Sequence, residues 1–161
     1  MAMPAHLTLT GEKQGKIDGH CRIQGREKTI LVYGMNHEIS IPRSPTDGLS
    51  TGKRLHGPLT ITKEFDTSSP KLYQALCTGE HMSNVTIKWY TINEKGHEEH
   101  YFTHTLEDAI VVSIKPSLPL TLVADNEQLR HMEEVSFTYK KIKWTWEATG
   151  IESEDSWEAP V

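Results

Sequence analysis

The chain has 161 residues, 36% of them hydrophobic and 24% charged, enough for one domain with a core of ordinary size. No run of about 18 apolar residues occurs, which excludes a helical membrane span, and Met1 to Thr10 has neither the basic nor the apolar region of a secretory leader, so folding in a cytoplasm is expected. Residues 147–161 hold five of the 22 acidic side chains (Glu147, Glu152, Glu154, Asp155, Glu158) and none of the 17 basic ones, which accounts for the whole net charge of −5; the neutral body excludes a nucleic-acid binder, which needs clustered cations, and lets many copies pack with little repulsion.

Leu7 to Thr10 alternates as a short first strand, closed by Gly11 and Gly15. Ile17, Gly19, Cys21 and Ile23 alternate with polar residues and predict a second strand, and Gly25-Arg26-Glu27 turns the chain. Thr29 to Tyr33 is β-branched and apolar on consecutive positions, the mark of a strand covered on both faces, with a continuation from His37 to Ile41. Residues 43–56 are rich in Pro, Gly, Ser and Thr without a period: either a solvated surface loop or one that reaches a partner.

Leu59, Ile61, Lys63 and Phe65 share one side of an extended segment. Ser69 then suits an N-cap and Pro70 the first helical position, predicting one helix from about Pro70 to Cys77 that Gly79 ends, with Leu72, Tyr73, Leu76 and Cys77 on its apolar stripe. Val85 to Ile92, the turn Asn93-Glu94-Lys95-Gly96 and Glu98 to Thr105 form a hairpin, followed by a strand over Ala109 to Lys115. A second long connection covers residues 117–131. Val135, Phe137 and Tyr139 alternate in one phase and Ile142, Trp144 and Trp146 in the other, so a β-bulge is expected near Lys140-Lys141. The pattern is mainly β: a β-barrel of two packed antiparallel sheets with one short flanking helix. A single domain spans residues 1–146, with an acidic tail at 147–161.

The chemistry-bearing residues are sparse. His97, His100 and His104 are the best metal cluster, but the spacing is not that of a zinc protease and the context is a hairpin, so exposed strand histidines are expected. Glu98-Glu99, Glu107-Asp108 and Glu133-Glu134 are neighbours on strands and point to opposite faces, which suits solvated or salt-bridged surface and not an acid/base dyad. Cys21 and Cys77 lack metal spacing and read as small buried hydrophobes, and the inward positions of Trp89, Trp144 and Trp146 read as core. Trp157, in the acidic tail, is either an anchor against the domain or a neighbour, or part of a solvated terminus. No catalytic residue, cofactor or metal is implied. A monomeric ligand-binding barrel and a hydrolase built on the three histidines are the competing readings.

Thr62-Lys63-Glu64-Phe65-Asp66, followed by Ser68-Ser69-Pro70 and Leu72, resembles the signature segment of the haemolysin-coregulated protein (Hcp) family of bacterial type VI secretion. The resemblance extends to Thr51 through Pro58, Lys88-Trp89-Tyr90, Tyr101-Phe102 with Leu106-Glu107, Tyr139-Lys140-Lys141-Ile142 with Trp144, and the final Asp155-Ser156-Trp157. It implies a barrel with one flanking helix and six copies in a ring, with rings stacking into a tube inside a contractile sheath. It further implies expulsion with a VgrG-like spike, a lumen that holds effector proteins, and release from the cytoplasm through the apparatus itself. The family's long loop reaches an adjacent ring or subunit, so Arg43, Lys53, Arg54, Leu55 and His56 are the interface candidates and Trp157 the candidate tail anchor.

Overall fold

The computed structural model describes residues 3–157. In strand β1 (Ala5–Gly11), Leu7 and Leu9 are buried while Thr8 and Thr10 are half-exposed, as period-2 patterning requires. It is followed by β2 (Gly15–Ile17), β3 (Ile30–Val32), β4 (Gly34–Asn36), β5 (Ile39–Ser40), β6 (Leu55–His56) and β7 (Leu59–Glu64). Helix α1 (Ser69–Thr78) leads to β8 (His81–Ile92), β9 (Glu98–Ser117), a 3-10 turn at Ala124–Asn126, β10 (Met132–Thr138), β11 (Lys141–Trp146) and β12 (Ile151–Ser156).

The long strand β9 organises the sheet. Its first half pairs with β11 and its second half with β10, while β8 pairs with it from Glu98 to Ile110. The main ladder path runs β2-β1-β8-β9-β10-β7-β4, all antiparallel. β3 pairs with β1 while β4, one residue further on, pairs with β7, so residues 30–36 span both ends of the path and the sheet curls into two packed layers. Leu7, Leu9, Ile61, Val85, Leu106, Val135, Phe137 and Ile142 fill the space between them. The mainly-β architecture with one flanking helix is therefore as expected. β5 and β6 form a separate two-residue ladder at the root of the 43–56 loop.

The signature segment ties helix to sheet through a buried ion pair. Lys63 is fully buried (0% exposed) and its ammonium donates to Glu133 Oε1, itself on a side chain 1% exposed. The ammonium also donates to Ser69 Oγ at 3.1 Å and the Glu64 carbonyl at 2.9 Å, with Asp66 Oδ1 at 3.1 Å. Ser69 Oγ donates on to Glu133 at 2.7 Å. β7, β10 and the start of α1 thus meet at one charged centre, and Glu133 is a buried ion-pair partner and not surface.

Several expectations change in detail. Ser69 is the first helical residue and not the N-cap: its hydroxyl is recruited by Lys63 and Glu133, and Asp66 Oδ1 takes the Ser68 N–H at 2.9 Å instead. The buried helix positions are Leu72 and Ala75, with Leu76 beside them, while Tyr73 and Cys77 are exposed; small Ala75 lets the helix sit close. The second strand stops at Ile17, because Gly19 lies where a Cβ would come 2.3 Å from the Thr29 carbonyl oxygen and the chain turns irregularly through Lys28. The two segments predicted on either side of Glu107-Asp108 are one strand, β9, with Asp108 at φ 51°. The phase change after Tyr139 takes the form of a break between β10 and β11, which leaves Tyr139 and Ile142 both buried. Trp89 and Trp144 pack at the margin of the core, but Trp146 is largely exposed.

Residues 147–157 join the sheet. A turn closed by Gly150 N–H on the Trp146 carbonyl leads into β12, which pairs with β11 along its whole length. Thr103 Oγ1 donates to Glu147, Glu152 pairs with Lys143, Glu154 with Lys141, and Asp155 with Arg54. The acidic run is legible as charge partners for the body. The expected tail also covers residues 158–161, which lie outside the described residues.

Candidate assembly interface

Residues 41–54 project as an arm from the β5/β6 ladder, held by an Arg43–Ser50 bridge and a Thr51 N–H to Pro42 carbonyl bond of 2.8 Å. Ile41, Leu49 and Leu55 are exposed along it, Leu49 to 67%. Arg43 and Lys53 also point to solvent.

Arg54 and His56 behave differently. Arg54 Nε donates to Asp155 Oδ2 and Arg54 Nη2 to the Ser156 carbonyl at 2.8 Å. His56 Nε2 lies 2.7 Å from the same Asp155 oxygen, and its Nδ1 lies 2.7 Å from the Tyr139 hydroxyl. His37 Nε2 approaches that hydroxyl from the other side at 2.8 Å. Asp155 can only accept, so His56 Nε2 donates to it, and the Tyr139 hydroxyl links His56 Nδ1 to His37 Nε2, giving the order Asp155, His56, Tyr139, His37. Trp157 stacks on the His56 ring at a 5.4 Å centroid distance and meets Tyr139 edge-on, so the candidate anchor packs on its own domain.

The electrostatics are consistent with this order. The hydrogen bond from Arg54 holds the Asp155 carboxyl below the usual range, with His56 adding to the effect. Burial, and then the Asp155 charge, push the Tyr139 hydroxyl up, so it stays a neutral donor. Burial, and then His56, lower His37. Sequence reasoning singled out Arg54, His56 and Trp157 but missed Tyr139, His37 and Asp155 as their partners.

A second surface is the outer face of β1-β8-β9-β11-β12. Register aligns Thr8, Thr86, Thr105, Lys143 and Glu154 in one row across these strands. A neighbouring row holds His6, Lys88, Thr103, Thr145 and Glu152, with His6 and Thr103 buried under their neighbours, and another Thr10, Asn84, Glu107 and Lys141. Three lysines face three glutamates here, and Lys141 and Lys143 are paired with theirs. A third surface is the 117–131 connection, where Leu118, Leu120, Leu122 and Leu129 are exposed, Leu122 to 89%.

The three candidate histidines do not converge on one another. His104 is not a free surface histidine: Trp89 Nε1 donates to its Nδ1 at 2.8 Å, and burial, then His37, lower its pKa to about 4. His100 instead meets Thr103 Oγ1 at 2.7 Å. Among the described residues no group of three or more His, Cys, Asp or Glu side chains could hold a metal ion, and no helix is long and apolar enough to cross a membrane. A small hollow lined by His20, Cys21, Leu31, Tyr33, Glu64 and Asp66 offers about 10 Å³, room for one water. Open surface depressions of about 260 to 490 Å³ lie elsewhere, the largest of them along residues 36–38 and 57–60.

Fold and surfaces together define a mainly-β domain whose distinctive chemistry lies in contact faces. The chain matches the family described as "Type VI secretion system effector, Hcp" over residues 6–146. It is 44% identical to the "Major exported protein" of Pseudomonas aeruginosa, over all of this chain and 99% of that one. The crystal structure of an Hcp protein superposes with a TM-score of 0.90 at 30% identity, covering 98% of this chain and 99% of that one. The secreted protein Hcp3 from Pseudomonas aeruginosa gives 0.80 at 38% identity, covering 98% and 100%. The chain belongs to the Hcp family of type VI secretion, a family of exported structural proteins and not of enzymes.

Proposed function

We propose that six copies of this chain close into a ring and that rings stack into the inner tube of a type VI apparatus. The tube is expelled from within a contractile sheath with a VgrG-like spike at its tip, and its lumen carries effector proteins. The subunit is made in the bacterial cytoplasm and leaves, for the extracellular space or a target cell, through the apparatus.

The observation that carries this reading is the polar outer face of β1-β8-β9-β11-β12. It is backed by the core, rich in threonine, balanced in charge and bounded by β12, which among the described residues pairs only with β11. A wall repeated around a ring brings like faces together, and a face with three lysines against three glutamates does so without mutual repulsion. A cyclic ring needs two unlike surfaces on each copy, which the β12 edge and the β2 side of the same sheet supply. Stacking then falls to the arm, with Arg43, Lys53 and Leu55 on its outside.

Light scattering coupled to gel filtration tests the ring: the expected particle has six times the 18.3 kDa chain mass, and electron microscopy should show annuli. A monomer at every concentration overturns it.

A further inference from the structure

We infer that Asp155, Ser156 and Trp157 form a clasp that positions the 41–54 arm. The stacking consequence rests on the tube reading; the clasp itself does not. The arm joins the domain through a ladder of only two residue pairs, Ile39 with His56 and Ser40 with Leu55, supported by the Gly57 N–H on the Glu38 carbonyl at 2.8 Å. So short a ribbon is marginal by itself. The C-terminal segment closes over it from the far end of the chain. One carboxylate oxygen, Asp155 Oδ2, accepts from both Arg54 Nε and His56 Nε2, the Ser156 carbonyl takes Arg54 Nη2, and Trp157 covers the His56 ring. His56 passes the constraint inward to Tyr139, which is buried in the core.

Arg54 therefore acts as a positioning residue: its guanidinium is committed to β12, and the exposed apolar surface is left to Ile41 and Leu49 on the arm and Leu55 at its root. Arg54 and Asp155 share one charge-assisted bond, so the effects of losing each should sum to more than the effect of losing both. The feature is directional as well. The side chains of residues 45–53 face solvent while the root is fixed, the arrangement of a contact arm held ready for a partner.

The test is hydrogen exchange on the full chain, comparing wild type with Asp155→Asn, Arg54→Gln and the double variant. Amides of residues 41–54 should exchange about tenfold faster in each single variant, the factor expected for one lost charge-assisted bond, and in the double variant by clearly less than the product of the two factors. Trp157→Ala should act in the same direction. Amides of β7 should keep their protection, and the variants should still form rings while losing tubes by electron microscopy. Unchanged exchange at 41–54, additive effects in the double variant, or equal loss of protection in β7 would each overturn the clasp. A wild-type monomer would overturn the tube reading and leave the exchange result to stand by itself.

Discussion

At Lys63 an ammonium is taken wholly out of water, and its cost is met only because Glu133, Asp66 and Ser69 converge on it. Removing Glu133 leaves the buried ammonium with Asp66 as its one carboxylate partner among the described residues. Glu133→Ala is expected to cost about 3–5 kcal/mol, whereas Lys63→Met combined with Glu133→Leu should recover most of that loss. Guanidinium denaturation measures both, and a cost below about 1 kcal/mol for Glu133→Ala would mean that water solvates the site. His104 gives a pH effect of known sign. Its Nδ1 already accepts from Trp89, and its pKa lies at about 4 against 6.5 for a free histidine. Between those values the unfolded chain binds the proton and the folded one does not, so stability falls as pH falls from 6.5 towards about 4. His6, lowered to about 4 by burial and then by Arg26, adds to the same slope. His104→Gln keeps an acceptor for Trp89 and removes the titration. Its stability should fall less over this window, and an unaltered slope would assign the acid sensitivity to other groups.

Helix α1 shows how an element is fixed by its ends. Gly79 closes it at φ 69°, with its N–H on the Leu76 carbonyl. Gly79→Ala forces a side chain into left-handed backbone and should cost about 1–2 kcal/mol by thermal or chemical unfolding; no measurable loss would show that the turn relaxes. The glycine was legible because its role is local. So were the alternations of β7, β8 and β10 and the hairpin at Asn93 to Gly96, since burial on one face imposes period 2 on the chain itself. What the sequence hides is pairing at a distance. Lys63 sits at an inward position of its strand, but the carboxylate that receives it is 70 residues away. Asp155 lies in an acidic run that looks like solvated tail, and only the fold brings Arg54, 101 residues earlier, onto it. Gly19 looks like one more step of an alternation until the Thr29 carbonyl is seen pressed against it. Arg54, His56 and Trp157 were legible as residues of interest and not as one cluster, for the same reason.

At the scale of the assembly, the placement of the polar face separates a tube wall from an outer surface. Thr105 lies on β9, well inside the sheet and away from the β12 edge, so changing it should leave ring closure intact. In a Cys77→Ser background, which removes the exposed native thiol, a Thr105→Cys thiol should react with a small maleimide in every state of the protein. A bulky polymer-linked maleimide should reach it in dissociated chains and be shut out of stacked tubes. Equal access in both states would place this face on the outside and transfer the lumen to another surface. Thr105→Lys extends the argument from position to chemistry. On the proposed tube reading, a wall in which lysine and glutamate are balanced has little net field and is left with hydroxyl contacts and shape to hold cargo. One added lysine per copy, repeated around the ring, makes that wall basic, so proteins recovered with the rings should shift towards acidic ones while particle mass stays the same. If the bound proteins were unchanged at unchanged mass, the face would have no part in holding cargo.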